Sequence, residues 1–215
     1  MSIFRFEQMI PLPLLEQDTT GSEVWESKSL LLEQGKSYAI EAPSGKGKTS
    51  LLSVIYGTRT DYRGEVFLDD RNIRSFSWKE WSVLRKRRLS MIFQGLELFD
   101  DLSTLENIQL KNRITGHVST KKIEELAVAL DMEPYLHRLA GILSFGQQQR
   151  VAIIRALVQP FDFLLADECF SHMDKENTLK AYALIQHECK VRKAGLVLTS
   201  LNETELPGID VSLKL

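Results

Sequence analysis

The stretch Ala42-Pro43-Ser44-Gly45-Lys46-Gly47-Lys48-Thr49-Ser50 constrains the fold of this 215-residue chain more than any other. The apolar segment Tyr38-Ala39-Ile40 enters it, and Leu51-Leu52-Ser53-Val54-Ile55 leaves it with the pattern of a buried helix. Strand, glycine loop and helix in that order are the context a phosphate-binding P-loop requires. Gly45 and Gly47 let the backbone curl so that successive N–H groups point inward at an anion. A helix starting near Lys48 adds its positive N-terminal end. Lys48 supplies an ammonium for the β- and γ-phosphates of a nucleotide, and the Thr49 hydroxyl is placed to ligate Mg2+. Ser44, Gly45, Lys46, Gly47, Lys48, Thr49 and Ser50 are thus the expected phosphate-binding set. One position departs from the motif, since Ala42 stands where it begins with glycine. The competing reading is a glycine-rich turn that binds nothing.

The length suits one α/β domain, or one domain with an inserted lobe. A net charge of −2 argues against a nucleic-acid binder, which carries a basic excess. No apolar run approaches the roughly 18–20 residues that span a bilayer. Met1-Ser2-Ile3-Phe4-Arg5-Phe6-Glu7 has neither a basic leader nor a long apolar core, so the sequence reads as non-exported. Cys169 and Cys189 are too few for a disulfide framework, which points to the cytosol.

Strands are expected at residues 3–6, 30–32, 65–69, 89–93, 161–166, 195–199 and 211–215, with a polar loop over 11–23. Trp78 to Arg88 reads as a helix bearing Lys79, Arg85, Lys86, Arg87 and Arg88. That run is either a solvated face or a contact for anionic lipid or a partner. Residues 100–145 show helical patterns and no strand, with Ile123, Leu126, Ala127 and Leu130 on one face. They read as a helical lobe inserted into the scaffold. Continuous apolar strands separated by helices imply a largely parallel sheet covered on both faces.

Two further stretches carry chemistry. Phe163-Leu164-Leu165-Ala166-Asp167-Glu168 is a buried strand ending in two carboxylates, and ligands gather at the carboxyl ends of such strands. Asp167 suits a Mg2+-holding role, and Glu168 suits polarising an attacking water. In Leu143-Ser144-Phe145-Gly146-Gln147-Gln148-Gln149-Arg150, Ser144 and Gly146 sit just ahead of an apolar helix, a second anion site. The alternative is an N-capped helix and nothing more.

This octet resembles the LSGGQ signature of ATP-binding cassette (ABC) ATPases, and Gln147 to Leu157 (QQQRVAIIRAL) continues the family pattern. Ile92-Phe93-Gln94 resembles the Q-loop, and Ser171-His172-Met173-Asp174 the D-loop. Residues 86–110 (KRRLSMIFQGLELFDDLSTLENIQL) look most like the lipoprotein-release, macrolide-export and cell-division subgroup, the LolD, MacB and FtsE types. The resemblance runs from about residue 24 to the end of the chain.

The resemblance implies an α/β P-loop NTPase core with a mainly parallel sheet, an N-terminal antiparallel β portion and an inserted α-helical lobe. Residues 1–215 would form a single nucleotide-binding domain, with a helical subdomain at about 97–158 inserted in the RecA-like core. The implied activity is ATP hydrolysis with ATP and Mg2+. Thr49, Gln94 and Asp167 would hold the metal, with Glu168, Gln94 and Ser200 in the catalytic set. Ser144, Gly146 and Gln147 would close on the nucleotide of a second copy in a head-to-tail homodimer or pseudo-symmetric dimer. A separate integral membrane permease-like subunit would receive the motion, placing the chain at the cytoplasmic face of the inner membrane, with no nucleic acid involved. The alternative is a nucleotide-gated assembly module with little or no turnover.

Several departures bear on that expectation. Ala42 and Lys46 alter the P-loop, and Phe145 replaces the first signature glycine. Ser200 stands where the family has its switch histidine, with Asn202 a substitute if the register slips. Residues 11–23 contain no aromatic to stack an adenine, and the nearest one, Trp25, suits the core. Cys169 replaces a proline. Turnover is therefore expected to be slow.

Overall fold

The computed structural model describes residues 1–201 and 206–215. In chain order the elements are β1 (Ile3–Pro11), β2 (Ser29–Glu33), β3 (Ser37–Glu41), α1 (Lys48–Ile55), β4 (Tyr62–Leu68), β5 (Arg71–Asn72) and α2 (Trp78–Arg87). Next come β6 (Leu89–Ile92), α3 (Thr104–Thr115), α4 (Thr120–Ala129) and α5 (Phe145–Leu157). The chain finishes with β7 (Phe163–Asp167), α6 (Lys175–Arg192), β8 (Gly195–Ser200) and β9 (Val211–Lys214). Strands β2-β1-β4-β5 form an antiparallel sheet, and β6-β7-β8-β3-β9 form a parallel one. The expected mixture of a parallel core sheet and an N-terminal antiparallel portion is what the chain adopts.

Alternation within the parallel strands splits the core into two clusters. Leu164 and Ala166 of β7, with Leu196 and Leu198 of β8, pack under the helices α4, α5 and α6. Phe163, Leu165 and Val197 face the other way, toward α1 and the antiparallel sheet. Strands buried on both faces read as unbroken apolar runs, which is why 163–166 and 195–199 were legible. Helices α3, α4 and α5 lie between β6 and β7, as the inserted helical stretch requires.

The basic run on α2 is only partly a solvated face. Arg88, just after the helix, pairs with Asp162 at 2.7 Å and Asp69 at 3.0 Å. The Arg85 guanidinium sits over the Tyr56 ring, 5.8 Å from its centroid. Arg88 thereby ties the end of β4 to the start of β7, one from each sheet.

Parallel pairing places the carboxyl ends of β6, β7, β8 and β3 on one edge. That edge carries Gln94, Asp167 with Glu168, Ser200, and the loop 42–47.

Candidate functional site

The loop after β3 curls as its glycines predict. Gly45 has φ 83° and Gly47 φ 97°, both left-handed. Gly47 is the N-cap of α1 and brings no side-chain acceptor. Helices α2, α3 and α5 each begin with a reciprocal capping box, so α1 stands apart in leaving its first-turn N–H groups for an outside anion. Ala42 takes no positive φ, so the position needs no glycine, and its carbonyl serves the site directly.

Ser44, Gly45, Gly47, Lys48, Thr49, Ser50, Gln94 and Glu168 line a cavity of 190 Å³. Within it Lys48 is 4% exposed. Its Nζ donates to the carbonyls of Ala42 at 2.6 Å and Pro43 at 3.0 Å. The same ammonium lies 3.2 Å from Glu168 Oε1. The other oxygen of Glu168 accepts from Gln94 Nε2 at 3.2 Å. A buried charge needs a partner, and here the lysine and the acid satisfy each other. Glu168 also sits at φ 45°, a left-handed backbone that costs about 1 kcal/mol for a residue with a Cβ and clusters at functional sites.

Asp167 lies behind the cavity, 1% exposed. Burial is the dominant influence and pushes its pKa up, opposed by hydrogen bonds from Thr199 and Thr49. Thr199 Oγ1 donates to Asp167 Oδ1 at 2.7 Å and accepts the Glu168 N–H at 3.1 Å. One hydroxyl therefore orients both acids. Sequence reading passed over Thr199 as a strand residue; the available signal was a hydroxyl at the end of an apolar strand beside the P-loop strand.

Lys46 stands at the rim, where its Nζ donates to the Asp18 carbonyl at 3.1 Å. Ser200 lines a neighbouring cavity of 220 Å³ that shares Glu168. The possible substitute Asn202 lies outside the described residues.

Trp25 supports the loop from below. It is 6% exposed and donates its Nε1–H to the Lys46 carbonyl at 3.1 Å. A Cβ on Gly47 would lie 3.0 Å from its ring. A ring so enclosed offers no face to a base, which excludes the adenine-platform role. Trp25→Phe removes that hydrogen bond, worth about 1 kcal/mol. Binding of ATP and GTP should weaken by the same factor, about five-fold; a loss confined to ATP would contradict the supporting role.

Ser144 caps α5, its Oγ accepting from Gln147 N at 3.3 Å while its own N–H donates to Gln147 Oε1 at 2.9 Å. The Gln147 side chain is thus spent on the cap. Ser144, Gly146 and Gln147 line neither cavity at the P-loop. A single chain holds the Ser144 helix start and the P-loop cavity apart. Cys169 is buried, and burial pushes its thiol far above the ordinary range, so it is inert packing. Arg155 of α5 is a further residue missed in the sequence. Its guanidinium donates to the carbonyls of Leu96 and Glu97, which follow Gln94 and both have positive φ. It ties the segment after Gln94 to the helix that Ser144 begins.

Comparisons with known proteins agree with this geometry. The ABC transporter family model matches residues 26–171. The thiamine import ATP-binding protein ThiQ of Haemophilus influenzae is 35% identical over 184 residues, 84% of this chain and 82% of that one. The lipoprotein-releasing system ATP-binding protein LolD of Psychrobacter arcticus is 29% identical over 191 residues, 87% and 84% of the two chains. Among solved structures, a dimeric bacterial ABC transporter cassette superposes with TM-score 0.78 at 22% identity, covering 98% of this chain and 94% of that one.

Proposed function

Because the chain belongs to the ABC transporter family of ATP-binding ATPases, we propose that it is the ATP-hydrolysing subunit of a membrane complex and drives a separate transmembrane partner by ATP-dependent dimer closure. The observation that carries this reading is the Lys48–Glu168 pair inside the P-loop cavity. In this pair the ammonium neutralises the acid; a γ-phosphate would compete for Lys48 and release Glu168 to face water. Binding and activation of the base are then one event.

Ser44 to Ser50 supply backbone N–H groups and hydroxyls to the phosphates. Thr49, Asp167 and Gln94 form an all-oxygen donor set around the buried Asp167 carboxylate, which suits Mg2+. Bound there, the ion would neutralise charge on the phosphate oxygens. Glu168 polarises the attacking water and Gln94 aligns Glu168. Ser144 and the N–H of Gly146, with Gln147 bracing the cap, complete the site on a second copy, giving a head-to-tail homodimer. The lobe at about 97–158 in the single 1–215 domain would pass closure to an integral membrane subunit at the cytoplasmic face of the inner membrane. Among the described residues no helix is long and apolar enough to cross a membrane. The LolD likeness and residues 86–110 favour the release and mechanotransmission subgroup, and the ThiQ likeness leaves import as the rival direction.

The test is nucleotide binding and phosphate release by the purified chain, wild type against Lys48→Ala. Binding and Mg2+-dependent turnover that both fall at least ~100-fold in the variant are expected for a lost charge-assisted phosphate contact. A wild type that binds no ATP would overturn the reading. Ser200 favours a second reading, a module that dimerises on ATP without turning over; ATP-dependent dimers with no phosphate release would establish it.

Asp167 supplies a pH test. Its pKa is raised in the fold, so its contribution to stability is present below 3.8 and lost as pH rises through the raised value. Above that raised value the fold carries an unfavourable buried charge. Asp167→Asn should raise the apo Tm, by roughly 2–4 °C per kcal/mol relieved, while abolishing Mg2+-dependent turnover. A lower Tm would contradict this.

A further inference from the structure

Two departures from the family pattern, Phe145 and Ser200, lie on either side of one loop. Ser200 lines the 220 Å³ cavity together with Glu168, Ser171 and Thr199. Ser171 Oγ lies 2.9 Å from His172 Nδ1. The buried Gln149 of α5 donates its Nε2–H to the same Ser171 oxygen at 3.3 Å. From the opposite side the Phe145 ring meets the imidazole edge-on, with centroids 4.4 Å apart and planes at 68°. Gly146 closes the approach, since a Cβ there would stand 3.0 Å from the His172 carbonyl. The imidazole is therefore fixed one hydrogen bond away from the cavity that holds Glu168.

We propose that Ser171 and His172 supply the hydrogen-bonding function that serine at position 200 does not, with His172 a positioning residue acting through the Ser171 hydroxyl. Ser200 is shorter than a histidine and has no ring nitrogen. A hydroxyl has one donor and two acceptor positions. With His172 as the Nε2–H tautomer, Ser171 donates its O–H to Nδ1 and accepts from Gln149, which leaves one lone pair for the cavity. That lone pair accepts from a water beside Glu168, so the water's hydrogens are divided between Ser171 and the carboxylate and its own lone pair is aimed at the phosphate. No proton leaves Ser171 or His172 in this arrangement. Phe145 then has a role of its own: the ring that replaces the first signature glycine holds the imidazole in place. The inference rests on the ATPase reading above and adds to it the residues that place the water.

The experiment is steady-state ATP hydrolysis by the full chain, comparing wild type with His172→Ala, His172→Asn, and His172→Ala combined with Ser200→His. His172 is exposed, so these variants should fold, and equal ATP binding checks that they do. Removing a water-positioning group should lower kcat by ~10–100-fold and leave KM for ATP within about two-fold. His172→Asn keeps an acceptor near the place of Nδ1 and should recover most of that loss. Ser200→His in the His172→Ala background returns an imidazole to the cavity and should restore kcat to within about three-fold of wild type. An unchanged kcat in His172→Ala overturns the inference, as does a double variant as slow as the single one. Wild-type protein that binds ATP with no turnover overturns the ATPase reading and this inference with it, and the wild-type measurement alone distinguishes that case.

Discussion

Glu168→Gln is expected to lower kcat for ATP by about 10³-fold while ATP binding survives or tightens. The loss follows from chemistry: an amide oxygen is a far weaker acceptor than a carboxylate and cannot draw a proton from water. The retained binding follows from the geometry. Lys48 lies 3.2 Å from Glu168 Oε1, so phosphate must take the ammonium from an anion. With glutamine at 168 that competition disappears, and the two carbonyls of Ala42 and Pro43 still hold the lysine in place. Turnover and equilibrium ATP binding, measured on the same preparation, separate the two effects. A variant that loses both together would mean that Glu168 is a structural counter-ion and not the base.

Gly47→Ala is expected to be the most damaging single-methyl change in the loop, and Gly45→Ala among the mildest. Both glycines have positive φ, which costs a residue with a Cβ about 1 kcal/mol. The surroundings differ. A Cβ at Gly47 would lie 2.5 Å from Leu14 Cδ1 and 3.0 Å from the Trp25 ring, whereas at Gly45 nothing stands within 4 Å. Overpacking of that kind adds ~1–3 kcal/mol. Gly47→Ala should therefore lower Tm by roughly 4–16 °C, and, because the clash lifts the loop that forms the phosphate cradle, ATP affinity should drop at least ~100-fold. Gly45→Ala should lower Tm by only about 2–4 °C. Equal shifts for the two would show that backbone strain alone, and not packing on Trp25, decides the loop's shape.

The contrast between these glycines marks how far the sequence could be read. Residues 42–50 and 163–168 were legible because a loop that must curl demands glycine and a strand buried on both faces must be apolar. The helical stretch between β6 and β7 was legible through the 3.6-residue spacing of Ile123, Leu126, Ala127 and Leu130. Arrangements that need distant segments were not. Trp25 and Gly47 are far apart in sequence, and only the tertiary fold sets that ring beneath the loop. Thr199 looks like any β-branched strand residue until pairing with β7 brings it to Asp167 and Glu168. Arg155 reads as a charge in a helix, and its work on Leu96 and Glu97 appears only with the loop in place. Ala42 shows the reverse error. A motif comparison flags it as a defect, whereas its backbone requires no glycine.

Ser144 and Gly146 stand apart from the P-loop cavity, so the chemistry proposed here needs a second copy to bring the two together. The most direct test is the mass of Glu168→Gln in solution, by light scattering, with Mg-ATP, with Mg-ADP and without nucleotide. The composite site predicts a dimer with ATP alone. It also predicts that Ser144→Ala in the same background weakens dimerisation at least ~10-fold, the loss of about one charge-assisted hydrogen bond at each site, with ATP binding to the single chain unchanged. A chain that stays monomeric when saturated with ATP, or a dimer indifferent to both nucleotide and Ser144, would contradict it.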